Sequence, residues 1–98
     1  MPGTLRVIAH IPARPESIKK LKAVLTGLIE PTRREAGCIR YELWHNSETP
    51  TDFTFVEEWA NEASLDAHLQ SRHIADAFAV AGHMLDGEID LRRYHPVE

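Results

Sequence analysis

Two side chains in this sequence invite proton chemistry at one defined place. Glu57 lies in FTFVEEW at 53–59, and His68 lies in LDAHL at 65–69. Residues two apart on a strand share a face, so Phe53, Phe55, Glu57 and Trp59 would form one row. A carboxylate in an aromatic row is costly to bury unless it is paired, and burial raises its pKa. Glu57 is therefore a candidate general base, or a partner that orients His68. His68 comes three residues after Leu65 and one before Leu69, near the buried stripe of a helix that folds back from the row. A polar group among aromatics on a concave surface is what a small-molecule pocket requires. Both residues also have a purely structural reading, as a buried carboxylate bonded to its neighbours and a satisfied core histidine.

Trp59, Phe55 and Phe78 would shape the cavity. His10, on the first strand, faces either the pocket or a subunit interface. His73 opens the helical segment after His68, where a cap or a surface position is the simplest reading. The chain has six histidines but no H-x-x-x-H pair. His68 and His73 are five apart, which puts them on poorly matching faces of one helix, so no metal site is expected. Cys38 is the only cysteine, which excludes an internal disulfide and a thiolate cage within one chain. Glycine-rich phosphate loops and a G-x-S-x-G elbow are absent from the sequence.

The elements that must position these residues can be read in order. TLRVIAHI at 4–11 alternates as a strand, with Leu5, Val7, Ala9 and Ile11 on one face and Arg6, Ile8 and His10 on the other. A helix is expected from about Pro15 to Ala36, with Ile18, Leu21, Leu25 and Leu28 as its apolar stripe. Pro31 should kink or break it near Glu30, and Gly37 suits the position after its end. CIRYELWHN at 38–46 and the row at 52–59 make a hairpin joined by a polar loop. Asn61 and Ser71 can cap helices at about 62–70 and 72–81. A last strand is expected at about 86–94. Strand, helix, strand, strand, helix, strand is the split β-α-β order of an α+β, ferredoxin-like fold. Two helices cover one face of a four-stranded antiparallel sheet. The other face is left open, and a homodimer through that open sheet face is expected.

Residues 1–98 are read as a single domain. Eleven basic against fifteen acidic residues give a net charge of −4, which argues against nucleic acid as a partner. The first thirty residues hold no long apolar run behind a charged lead, so neither a signal peptide nor a membrane span is expected, and a cytoplasmic setting is the simplest one.

E-A-G-C at 35–38, Y-E-L at 41–43, F-x-F-x-E-x-W at 53–59, L-x-x-H-L at 65–69 and H-x-x-x-x-F at 73–78 together resemble the antibiotic biosynthesis monooxygenase (ABM) domain family, its quinol monooxygenase-like members in particular. The resemblance spans nearly the whole chain. It implies a dimeric α+β barrel with a pocket between sheet and helices in each subunit. It also implies oxidation of a small aromatic phenol, quinol or anthrone by O2 with no cofactor. Within that pattern His68 and Glu57 would handle protons, and Trp59, Phe55, Phe78, His10 and His73 would meet the substrate. Some oxygenating members carry an asparagine four residues before the tryptophan, where this chain has Phe55. Haem-degrading relatives combine asparagine, tryptophan and histidine, and the first strand offers no convincing asparagine. A non-catalytic binding module and an isomerase or haem-handling member are the alternatives.

Overall fold

The structure is a computed structural model and describes residues 3–98. Four strands form one antiparallel sheet: β1 (Leu5–Pro12), β2 (Cys38–His45), β3 (Asp52–Trp59) and β4 (Asp90–Tyr94), in the spatial order β2-β3-β1-β4. Helices α1 (Ile18–Thr26), α2 (Ile29–Arg33), α3 (Glu62–Leu69) and α4 (Arg72–Ala81) connect them. The fold is α+β and ferredoxin-like.

Period-two alternation decides which side of the sheet is dry. On β1, Leu5, Val7, Ala9 and Ile11 are buried while Arg6 and His10 are exposed. On β3, Phe53, Phe55, Glu57 and Trp59 are all buried. These rows face the helices, whose contributions to the core include Leu21, Leu25 and Leu65. The register sets Glu57 between Val7 of β1 and Tyr41 of β2.

The first helix breaks earlier than the proline suggests. It opens at Gly27 and Leu28, and Pro31 falls in the first turn of α2. A proline clashes with the carbonyl four residues before it, here that of Gly27, and is tolerated in a first turn. The chain meets both conditions by ending α1 at Thr26. The last strand is shorter than expected, beginning at Asp90. Both expected caps are present: Asn61 Oδ1 accepts from the Ser64 amide at 2.8 Å, and Ser71 Oγ from the Ile74 amide at 3.4 Å. Between α3 and α4 the chain therefore turns a corner.

Among the described residues no helix is long and apolar enough to cross a membrane.

Candidate active site

A cavity of about 210 Å³ lies between the buried face of the sheet and the α3–α4 corner. Its walls are mostly apolar, with Phe55 and Phe78 among them, and its polar groups come from Glu57, His68 and Tyr41. A second depression, of about 340 Å³, lies along β2 and is lined by Arg33, Arg40 and Glu42 among others. That one is polar, and the Arg40 guanidinium is already committed to Glu42 at 2.7 Å. The apolar cavity is the better place to hold an organic molecule.

Glu57 is 4 % exposed, and its Oε1 accepts a hydrogen bond from the Trp59 indole at 2.8 Å. Burial pushes its carboxyl up to about 7, and the nearby Glu35 adds to this, while the indole hydrogen bond opposes both. Trp59 is fully buried and lies outside the cavity lining, so it touches the site through Glu57 and through the His68 ring, 4.7 Å away between centroids. Tyr41 stacks on Phe55 at 4.7 Å and meets His68 edge-on at 5.4 Å. Burial raises the Tyr41 phenol above its ordinary value, with Glu57 adding to the effect.

His68 does not pair with Glu57. Its Nδ1 lies 2.7 Å from Oε2 of Glu35, and the residue is buried. Burial lowers its pKa, partly offset by Glu35. A neutral imidazole that donates from Nδ1 carries its lone pair on Nε2. Nε2 has no hydrogen-bond partner among the described residues, and the ring lines the cavity. This is the logic of a histidine base whose tautomer is fixed by a carboxylate.

His73 reaches the same oxygen: its Nε2 lies 2.6 Å from Glu35 Oε2 and 3.3 Å from Ser71 Oγ. It does not line the cavity. His10 belongs to neither group. Strand parity puts it on the open face of the sheet, where its Nδ1 approaches Asp52 Oδ1 at 3.3 Å and Thr54 Oγ1 at 3.0 Å. In this chain the cavity is on the other side, so a contact with its contents is closed to His10. Of the seven residues singled out from sequence, Glu57, His68, Phe55 and Phe78 meet at the cavity. Trp59 and His73 support it from behind.

Sequence reasoning passed over Glu35 and Tyr41. Glu35 sits just beyond the C-terminal end of α2, the negative end of the helix dipole, which is a poor place for an acid without another partner. That mismatch was the available signal. Gly37 lets its turn approach α3. It has φ of +85°, and a Cβ there would overlap the Ser64 side chain. Glu35, His68 and His73 also form a cluster of metal-type ligands, with one atom from each lying within 4.8 Å of the others.

A small apolar cavity with a carboxylate-paired histidine and a buried carboxyl at its wall, set in a ferredoxin-like α+β fold, has the form of a small-molecule pocket. Residues 4–80 match the model of the family described as "Antibiotic biosynthesis monooxygenase", and the chain belongs to that family. The putative monooxygenase Rv0793 of Mycobacterium tuberculosis is 29 % identical over all of this chain and 96 % of its own length. The protein sll1783 of Synechocystis is 28 % identical over 94 % of this chain, which spans only 63 % of that relative. A conserved protein from Methanosarcina mazei, known from its crystal structure, is 35 % identical with a TM-score of 0.87, covering 93 % of this chain and 90 % of its own.

Proposed function

We propose that the cavity oxidises a small, flat phenol, quinol or anthrone with O2, using no bound cofactor. The observation that carries this reading is the Glu35–His68 pair at the wall of an apolar cavity. His68 Nε2 accepts the acidic proton of the substrate. The resulting anion is electron-rich and passes electrons to O2, and a carbon–oxygen bond forms. The peroxide then loses water as the carbonyl forms. In balance, the substrate gives up two hydrogens, one oxygen atom enters the product and the other leaves as water. The Glu57 carboxyl, with Oε1 held by Trp59, offers its other oxygen to the substrate, and near neutral pH a large part of it can still donate. Phe55 and Phe78 hold the ring plane, and the excluded water strengthens each polar contact.

The open face of the sheet, with Ile8, Val56, Trp44 and Tyr94 among its charged neighbours, is the surface we assign to a homodimer. The small aromatic substrate and O2 are the partners of the cavity itself.

O2 uptake with a panel of quinols and anthrones, corrected for their spontaneous oxidation, tests the reading. His68→Ala should lower kcat by about 100-fold or more, the usual scale for loss of a positioned base. Glu57→Gln should have a smaller effect, with its fold retained by circular dichroism. Saturable binding of the same compounds with no excess O2 uptake would replace the enzyme by a binding module.

A further inference from the structure

Glu35, His68 and His73 come from three separate places: the turn before β2, the end of α3 and the start of α4. The fold nevertheless brings Oε2, Nδ1 and Nε2 of these residues within 4.8 Å of one another. We propose that this cluster binds one divalent transition-metal ion of the zinc or cobalt type through those three atoms.

The donor set favours such ions. Two imidazole nitrogens and one carboxylate oxygen match the borderline preference of Zn²⁺ and Co²⁺, whereas Mg²⁺ and Ca²⁺ prefer oxygen throughout. Three protein ligands leave a further position for water, and Ser71 Oγ stands 3.3 Å from His73 Nε2.

The local charge points the same way. One carboxylate serves two histidines, and it adds to the rise that burial imposes on both Glu57 and Cys38 nearby. Arg33 is the cation that opposes this at Cys38, and its Nε and one terminal nitrogen are occupied by the Tyr41 carbonyl. A dication at the cluster would offset the effect of Glu35 on both groups.

Occupation requires the three ligand atoms to shift. The two N···O separations, 2.7 and 2.6 Å, are hydrogen bonds, each holding a proton that an incoming ion would displace. Bonds of about 2.0–2.2 Å to one tetrahedral centre require Oε2 to back away to about 3.3 Å from each nitrogen, and the two nitrogens to settle at about the same separation. His73, with a quarter of its side chain exposed, has the freedom for this and marks the way in.

Occupation has a consequence for His68. A metal on Nδ1 obliges the neutral ring to carry its proton on Nε2, so the nitrogen assigned to the cavity becomes a donor instead of an acceptor. The ion would then inhibit the oxidation proposed above.

The experiment is a Co²⁺ titration of tag-free protein, with no substrate present. The expected result is a visible ligand-field band that saturates at one ion per chain and is abolished by Zn²⁺. His73→Gln keeps a nitrogen donor for Glu35 but removes the imidazole; it should fold normally and weaken Co²⁺ binding at least tenfold, while His10→Ala should leave it unchanged. No saturable band up to millimolar Co²⁺, or an identical band in a folded His73→Gln, would overturn the proposal. Because the titration uses neither substrate nor O2, its outcome does not depend on the oxidation. If oxidation is observed, Zn²⁺ should inhibit it in step with occupancy, and full activity at saturation would overturn the assignment of His68 as a ligand.

Discussion

The two sides of the sheet each hold a histidine paired with a carboxylate. On the open side, His10 and Asp52 approach at 3.3 Å, with 48 % and 29 % of their side chains exposed. On the helix side, His68 and Glu35 approach at 2.7 Å, with 3 % and 17 % exposed. The residue types are nearly the same, but the surroundings are not. Water and salt screen the first pair and can replace either partner, so it is held loosely. Asp52 is kept below its usual range first by the Asn46 amide, with His10 a lesser cause. The second pair is largely shielded from water, so each group depends more on the other, and His73 depends on the same oxygen. Burial thus turns an ordinary ion-pair motif into a constraint on tautomer and position.

Removing the shared acceptor tests this most severely. Glu35→Ala would leave the His68 and His73 donors without their partner, one of them buried. Stability should fall by about 4 kcal/mol, the scale for losing two hydrogen bonds to a charged acceptor at about 2 kcal/mol each. Urea unfolding near neutral pH measures it. A loss under about 1 kcal/mol would put Glu35 in the same class as a surface acid and end the contrast between the two faces.

Glu57 gives the next largest effect, and its sign follows from linkage. Its carboxyl titrates at about 7 in the folded chain, against an ordinary value of 4.5. Between those values the native state binds a proton that the unfolded chain does not. The associated stability is fully present below about pH 4.5 and is lost as pH rises through about 7. A shift of this size corresponds to about 3 kcal/mol. Glu57→Gln removes the titration, so the variant should gain on the native protein from pH 4 to pH 8 by about that amount. Parallel unfolding curves at both pH values check it. A constant difference would mean that Glu57 stays solvated.

Much of this arrangement was legible in the sequence, and the gaps have physical causes. Period-two alternation placed Phe55, Glu57 and Trp59 on one face, and the caps Asn61 and Ser71 marked where helices begin. The break in the first helix was signalled by Pro31 but displaced, because the clash is felt one turn upstream, at Gly27. His68 and His73 looked mismatched because five residues were counted along one helix. Ser71 starts a new helix, and the corner brings both rings to Glu35. Glu35 is 33 residues from His68 along the chain, a separation that no local pattern reports. His10 was readable as lying opposite Ala9 and Ile11, but which face would hold the cavity depended on where the helices lay.

The smallest effect completes the contrast from the exposed side. His10→Ala removes the ring that meets Asp52 and Thr54, but all three groups can turn to water. Asp52 also keeps the Asn46 amide at 3.0 Å, so its carboxylate is not stranded. The expected loss is about 0.5 kcal/mol or less, and it should shrink further in 1 M salt, where the screening length is about 3 Å. Thermal unfolding of dilute protein at low and high salt measures both. A loss of several kcal/mol that persists in salt and grows with protein concentration would mean that His10 is buried by a second copy. In that case His10 would lie inside the homodimer contact assigned above to the open face rather than at its rim, and the two histidine–carboxylate pairs would differ less than the single chain suggests.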